Sequence, residues 1–258
     1  MRAKKKIIVG NWKMKPVSLK EAVSIAGKIN NSIKKTKKTQ VVLCPPVLFF
    51  SEIKKVVSQN KAIFLGAQDA FWQEKGEYTG EISPLALKGL GVNYVIIGHS
   101  DRRKNGETAE IINKKINSLL KIGFKVIFCV GEEKRDETGD YLRYIKNQIT
   151  EGLKGIQKKF LNNLIIAYEP IWISAKNFKD PNFSNHINDV SLFIKKVLAE
   201  LAGREIGFNV PIIYGGAFSL DNVSDILTKE GVDGLLVDKM SLDLNKFLAI
   251  IKEAELKK

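Results

Sequence analysis

Cysteine and histidine are scarce in this chain: Cys44, Cys129, His99 and His186 are the full complement in 258 residues. Two cysteines far apart exclude a disulfide-stapled scaffold. Each ends an apolar run, the usual setting of a buried thiol in a reducing compartment. No spacing of Cys and His matches a metal site, so no metal is expected. Long apolar runs are missing too, and none approaches the ~18 residues that cross a membrane. The basic start at 1–6 is followed by only three apolar residues before polar Asn11 and Lys13. No secretory signal is therefore visible, and a cytoplasmic location is expected.

Acidic residues are outnumbered, 28 Asp and Glu against 42 Lys and Arg, leaving a formal charge of +14. Such an excess fits nucleic acid, an acidic partner, or a small anionic substrate drawn in by long-range attraction. The lysines lie in short scattered runs at 4–6, 34–38 and 158–159, with no aromatic ladder or nucleic-acid motif among them. They support a solvated basic surface, with neither nucleic acid nor membrane as a partner.

What is abundant is alternation. Short β-branched runs at 7–11, 41–44, 62–66, 92–97, 124–130, 164–168, 210–214 and 234–237 predict eight strands. Segments of helical period predict helices at 18–34, 47–58, 84–89, 107–122, 140–155, 185–202, 219–228 and 242–254. Ser18 followed by Glu21 fits a capping box, and Gly123 fits a C-terminal stop. Hydrophobic residues make up 44%, enough for a sizeable core. Eight strand-helix units without a composition shift predict an α/β fold: one (β/α)8 barrel domain over 1–258, eight parallel strands ringed by helices. An open doubly wound sheet is the alternative. It would ordinarily show a Gly-rich nucleotide loop after its first strand, and Gly10-Asn11-Trp12-Lys13 is not one.

In such a barrel the residues following each strand converge at the carboxyl-terminal face. Asn11, Lys13, His99, Glu169, Gly215 and Gly216 all fall there. Glu169 alone would be an ordinary strand-end carboxylate. With the Lys13 amine and the His99 imidazole at the ends of two other strands, it supplies what proton transfer on a carbonyl compound needs. Two connections are long. The stretch 68–83 carries Trp72 and Tyr78 and is either a floppy surface loop or an interaction loop; 170–184, directly after Glu169, is either a lid or disordered.

Several motifs recur in a telling order: Gly10-Asn11-Trp12-Lys13-Met14, Cys44-Pro45-Pro46, Gly66-Ala67-Gln68, Tyr78-Thr79-Gly80-Glu81-Ile82-Ser83 and Ile97-Gly98-His99-Ser100. Cys129-Val130-Gly131-Glu132, Ala167-Tyr168-Glu169-Pro170-Ile171-Trp172 and Tyr214-Gly215-Gly216 complete the set. Together they resemble the triosephosphate isomerase family over essentially the whole chain. The resemblance implies a TIM barrel that interconverts dihydroxyacetone phosphate and glyceraldehyde 3-phosphate without a cofactor, in glycolysis and gluconeogenesis. It implies Glu169 as the base at the carbon beside the carbonyl and His99 as the neutral electrophile. Lys13 would stabilise the enediolate and hold phosphate, and Asn11 would bridge Lys13 and a substrate oxygen. Trp172 would lie in the first hinge of the lid and Tyr214 beside phosphate-binding Gly215 and Gly216. The resemblance also implies a homodimer in which Trp72, Tyr78 and Thr79 belong to a loop entering the partner's site.

Four departures from the family pattern stand out. Asp101 replaces a Glu and must bring its shorter side chain closer to reach Lys13. The lid tip at 173–178 has no glycine, and the amide that meets phosphate belongs to Ser174 or Ala175. Ala217 replaces a Ser, removing a hydroxyl but not the amide. Asp238-Lys239 replaces paired glycines, so that Lys239 adds a cation while Asp238 stands near a dianion unless its side chain points away. Three readings follow: a working isomerase with a rebuilt phosphate grip, an isomerase-like barrel for a larger or less anionic hydroxycarbonyl compound, and a non-catalytic binding barrel.

Overall fold

The computed structural model describes residues 5–33, 36–173, 178 and 180–257. Its eight strands are β1 (Lys6–Asn11), β2 (Thr39–Cys44), β3 (Ile63–Ala67), β4 (Tyr94–Ile97), β5 (Lys125–Val130), β6 (Leu164–Tyr168), β7 (Ile212–Tyr214) and β8 (Gly234–Val237). They pair in chain order, all parallel, and β8 closes on β1 with Gly10 opposite Val237. The helices are α1 (Leu19–Ser32), α2 (Phe50–Val57), α3 (Pro84–Gly89), α4 (Ser100–Lys104), α5 (Ala109–Ile122), α6 (Asp140–Gly152), α7 (Phe183–Ala202), α8 (Arg204–Asn209), α9 (Leu220–Thr228) and α10 (Leu244–Leu256). This is the (β/α)8 barrel, not the open sheet.

Strands covered on both faces read as near-continuous apolar runs, and the two-residue period sorts them into two cores. Ile7, Val9, Val42, Cys44, Ile127, Cys129, Ile165, Ala167, Ile213 and Leu236 fill the barrel interior. Ile8, Val41, Leu43, Val126, Phe128, Ile166, Tyr168 and Tyr214 face the helices. Both cysteines are free and buried. Because the period runs on past the strand ends, the inner rows of β1, β6, β7 and β8 lead to Asn11, Glu169, Gly215 and Asp238 at the mouth.

Helix ends follow local chemistry. Ser18 accepts the Glu21 amide at the start of α1, and Thr108 accepts the Ile111 amide at the start of α5. Gly123 ends α5 with φ +89°, a conformation that a side chain would oppose. Two helices escape the periodicity. Helix α4 is a five-residue turn of Ser, Asp, Arg, Arg and Lys with no apolar stripe, and α8 is a six-residue turn after Gly203. Strand β4 begins at Tyr94, not Val92, because the Val92 amide is used by the Leu87 carbonyl. Strand β7 begins after Pro211, which has no N–H to give the ladder. No helix of the described residues is long and apolar enough to cross a membrane.

A buried ion cluster joins the start of the 68–83 connection to the helix layer. Lys115 on α5 donates to both oxygens of Asp69 at 2.8 Å and also to Glu107. Arg102 on α4 lies 2.9 Å from Asp69 and 3.2 Å from Glu107. Removing Lys115, the more deeply buried of the two cations, leaves both carboxylates to Arg102 alone among the contacts described. Lys115→Met is accordingly expected to lower unfolding free energy by about 3 kcal/mol in a urea titration; a loss under about 0.5 kcal/mol would mean that the cluster is solvated.

Candidate active site

Lys13 sits in a backbone conformation that side chains rarely adopt, φ +53°. Two contacts hold it there: its N–H donates to Asn11 Oδ1 at 3.2 Å, and its carbonyl accepts from Gln68 Nε2 at 2.8 Å. The same Gln68 amide donates to the Cys44 carbonyl at 2.9 Å, tying the ends of β1, β2 and β3. The Lys13 ammonium lies 2.7 Å from Asp238 Oδ2 and 2.9 Å from Asp101 Oδ2. Partial burial works against its charge, but the two carboxylates outweigh this and hold Lys13 above the usual lysine range. Asp101 therefore reaches Lys13 despite its shorter side chain, and Asp238 points into the mouth rather than away from it.

His99 would fall on the outer row of β4 if the strand simply continued. Gly98, at φ +71°, breaks the alternation and turns His99 inward. Arg103 braces that turn, donating to the Gly98 carbonyl at 2.7 Å and the Cys129 carbonyl at 3.1 Å. His99 caps α4, its Nδ1 accepting the Asp101 amide at 3.1 Å. That bond leaves the proton on Nε2 and the ring neutral. The Asp101 carboxylate, 3.6 Å from Nδ1, is too far to compete.

Glu169 faces the free side of this imidazole, Oε1 lying 3.7 Å from His99 Nε2. The carboxylate is 93% shielded from solvent, at 7% relative exposure. Oε2 accepts a long 3.5 Å bond from the Ser100 amide, and Oε1 has no hydrogen-bond partner among the described residues. Burial pushes the Glu169 carboxyl above the ordinary range, and the Asp238 charge adds to this; the Cys129 thiol and the Ser100 amide pull the other way, as His99 does when protonated. Room for it comes from absent side chains. A Cβ on Gly215 would sit 2.9 Å from Glu169 Cγ, and one on Gly131 would collide with the Glu169 carbonyl.

After Glu169 the chain is pinned by Glu132. Its Oε1 accepts from Trp172 Nε1 at 2.7 Å and Tyr168 Oη at 2.9 Å, and its carbonyl accepts the Ile171 amide at 2.9 Å. Trp172 thus anchors the near end of the 170–184 connection, with the Arg135 guanidinium 5.6 Å over its ring. On the opposite side Tyr214 Oη donates to the Ala217 carbonyl at 2.9 Å, shaping the turn through Gly215 and Gly216. A Cβ on Gly216 would lie 2.5 Å from Tyr214 Oη. Lys239 is exposed and opens a short turn after β8. Ser174 and Ala175 lie outside the described residues.

Trp72, Tyr78 and Thr79 are not at this mouth; they stand on the projecting 68–83 connection. Phe71 stacks on Trp72 and Tyr78 at 3.9 and 4.6 Å between ring centroids, and its amide bonds the Ile82 carbonyl. The loop is therefore an ordered projection rather than a floppy one, with Thr79 exposed near its tip. Beside the mouth, a cavity of about 340 Å³ is lined by Asn11, Lys13, Gln68, His99, Asp101 and Arg102 among others.

The sequence reading gives no role to Gln68, Arg103 or Glu132. Counting by twos would have found the first, since Gln68 continues the inner row of β3. Glu132 continues the outer row of β5, where a carboxylate must find donors, and Tyr168 lies next to that row across the β5 to β6 ladder. Arg103 has no such signal, because it sits on a turn without periodicity.

A shielded carboxylate, a neutral imidazole and a cation at the carboxyl end of a closed (β/α)8 barrel define an enzyme class: a barrel that moves protons beside a carbonyl. The chain belongs to the triosephosphate isomerase family, which it matches over residues 6–254. It is 42% identical over 247 residues to the triosephosphate isomerase of Thermoanaerobacter pseudethanolicus, covering 95% of this chain and 98% of that one. It is 39% identical over 250 residues to that of Dehalococcoides mccartyi, 96% of each, and 38% identical over 251 residues to that of Dictyoglomus thermophilum, 96% and 99%.

Holding Glu169 ionised while buried opposes folding. Its folded pKa lies above the unfolded value, so the stability present below ~4.3 is lost as pH rises through the folded pKa. Glu169→Gln is expected to stabilise the protein by about 0.5–2 kcal/mol at pH 7, measured by urea unfolding, with the gain vanishing near pH 4. A destabilised variant at pH 7 would contradict the assignment of a strained carboxylate.

Proposed function

We propose that this chain is a working triosephosphate isomerase, converting dihydroxyacetone phosphate and D-glyceraldehyde 3-phosphate into one another through an enediolate. The observation that supports this most directly is the Glu169 carboxylate, with one oxygen unpartnered among the described residues, facing His99 Nε2 at 3.7 Å across the barrel mouth. Glu169 takes the proton from the carbon beside the carbonyl, and the electron pair moves onto the carbonyl oxygen. Desolvation makes the carboxylate a stronger base for this step. His99 gives its Nε2 proton to the oxygen that has gained the electron pair and takes the proton of the neighbouring hydroxyl in its place; the new carbonyl forms there as Glu169 returns its proton to the adjacent carbon. Lys13, kept cationic by Asp101 and Asp238, opposes the enediolate charge, with Asn11 beside it.

Phosphate binding falls to the amides of the Gly215, Gly216 and Ala217 turn, to those after β8 with Lys239, and to the lid at Ser174 or Ala175. Amide donors need no particular side chain, so Ala217 can serve without a hydroxyl. Closure of 170–184 over the site, hinged at Trp172, keeps water from an intermediate that would otherwise lose phosphate. No cofactor enters this scheme. The chain acts as one barrel domain in the cytoplasm.

The ends of the 68–83 connection, at Gln68, Asp69 and Ile82, line the same cavity as Lys13 and Met14, and Met14, Val17 and Leu48 are almost fully exposed. A monomer gains nothing from that apolar rim, which supports a homodimer in which each loop, led by Thr79, enters the other's cavity. Sedimentation equilibrium is expected to give twice the 28.9 kDa chain mass, and Thr79→Arg a monomer; a monomeric parent protein would refute the arrangement.

In a coupled assay with glyceraldehyde 3-phosphate, Glu169→Gln is expected to lower kcat about 10³-fold. The acid limb of kcat/KM should lie above the ordinary glutamate range, since protonated Glu169 cannot act as base. Equal turnover by the parent and the variant would sink the isomerase reading.

A further inference from the structure

Two carboxylates compete for one ammonium at the site's open end. Asp101 lies 2.9 Å from Lys13 Nζ and Asp238 lies 2.7 Å from it. Position does not require both. The Lys13 backbone is already clamped by Asn11 and Gln68, and Asp101 alone supplies an ion pair. Asp238 is placed deliberately by its surroundings: it continues the inner row of β8, and its carbonyl accepts both the Ser241 amide at 2.9 Å and the Ser241 hydroxyl at 2.6 Å. Backbone anchoring leaves the carboxylate aimed at Lys13, with 38% of the side chain exposed to an incoming ligand.

An anion that seeks Lys13 therefore meets a carboxylate already in contact with it. The doubly negative phosphoryl group must displace Asp238 from the ammonium or accept its repulsion at close range. A neutral hydroxycarbonyl compound, held by Glu169, His99 and Asn11, does neither.

We propose that Asp238 is an internal counter-ion that competes with the substrate's phosphoryl group for Lys13. It thereby weakens binding of phosphorylated triose and narrows the preference for phosphorylated over unphosphorylated triose. This rests on the isomerase reading of the site, with Lys13 as the cation that meets substrate. It assigns to Asp238 a specificity role rather than a catalytic one. The same contact weakens inorganic phosphate, which meets Lys13 without the help of any carbon chain.

The test compares the parent protein with Asp238→Asn and Asp238→Ser at constant low ionic strength. Asn keeps the shape and an oxygen for Lys13 while removing the charge, and Ser removes the reach as well. Expected are a fall of about 10-fold in KM for glyceraldehyde 3-phosphate and in Ki for inorganic phosphate, equivalent to ~1.4 kcal/mol. The ratio of kcat/KM for glyceraldehyde 3-phosphate to that for glyceraldehyde should rise by the same factor. The gap between parent and variants should shrink in 0.5 M salt, where partly exposed charges are screened. Unchanged or raised KM and Ki in variants with parent-like melting temperatures would overturn the proposal and make Asp238 a positioning residue for Lys13. A parent protein that does not turn over triose phosphate would count against the isomerase reading instead. Calorimetric titration of the three proteins with inorganic phosphate would then still decide the point: tighter binding by the variants supports the competition, and equal binding refutes it.

Discussion

A carboxylate kept from water, with one oxygen unpartnered among the described residues, is unfavourable in the folded state, and the surroundings of Glu169 hold it so. Closure of the sheet gives the first requirement, because the inner row of β6 can deliver Glu169 only to the barrel mouth. The second is clearance, supplied by Gly131 and Gly215. The third is a facing group that does not neutralise it. His99 meets this by spending Nδ1 on the Asp101 amide and turning an N–H, not a full charge, towards Glu169. A cationic neighbour would have neutralised the carboxylate that burial leaves unpaired.

Charge of the other sign is handled on the far side of the mouth. Lys13 is held cationic between Asp101 and Asp238, while its strained backbone is tied by Asn11 and Gln68 to three strands. The departures that the resemblance marks at Asp101, Ala217 and Asp238, like the one at the lid tip, leave the Glu169 and His99 pair intact. The two sides meet at Asp101, whose amide caps His99 while its carboxylate holds Lys13.

Most of the barrel was legible because its determinants are local and periodic. Short β-branched apolar runs marked all eight strands, and their order in the chain matched their order in the sheet. The two-residue period of the strands, carried past their ends, brings Asn11, Glu169 and Gly215 together. Less legible were features set by single bonds: α4, made of charged residues, and the start of β4, decided by where the Val92 amide bonds. His99 came from its motif and not from its parity, which Gly98 reverses. The direction of Asp238 was open, because sequence does not say whether an acid beside a phosphate site will find a lysine. It does, at 2.7 Å from the Lys13 ammonium. Glu132 and Gln68 went unassigned because their partners lie on other strands.

The central claim is that the carboxylate of Glu169 abstracts and returns a carbon-bound proton. Isomerisation of dihydroxyacetone phosphate in D2O, followed by NMR of the glyceraldehyde 3-phosphate trapped as it forms, tests it most directly. A proton held on a carboxylate exchanges with solvent, so product carrying deuterium at the carbon beside the aldehyde is expected from the parent protein, with its rate of formation collapsing in Glu169→Gln. Product that retains hydrogen there completely, with the variant as fast as the parent, would mean that hydrogen passes between the carbons without a base and would contradict the mechanism.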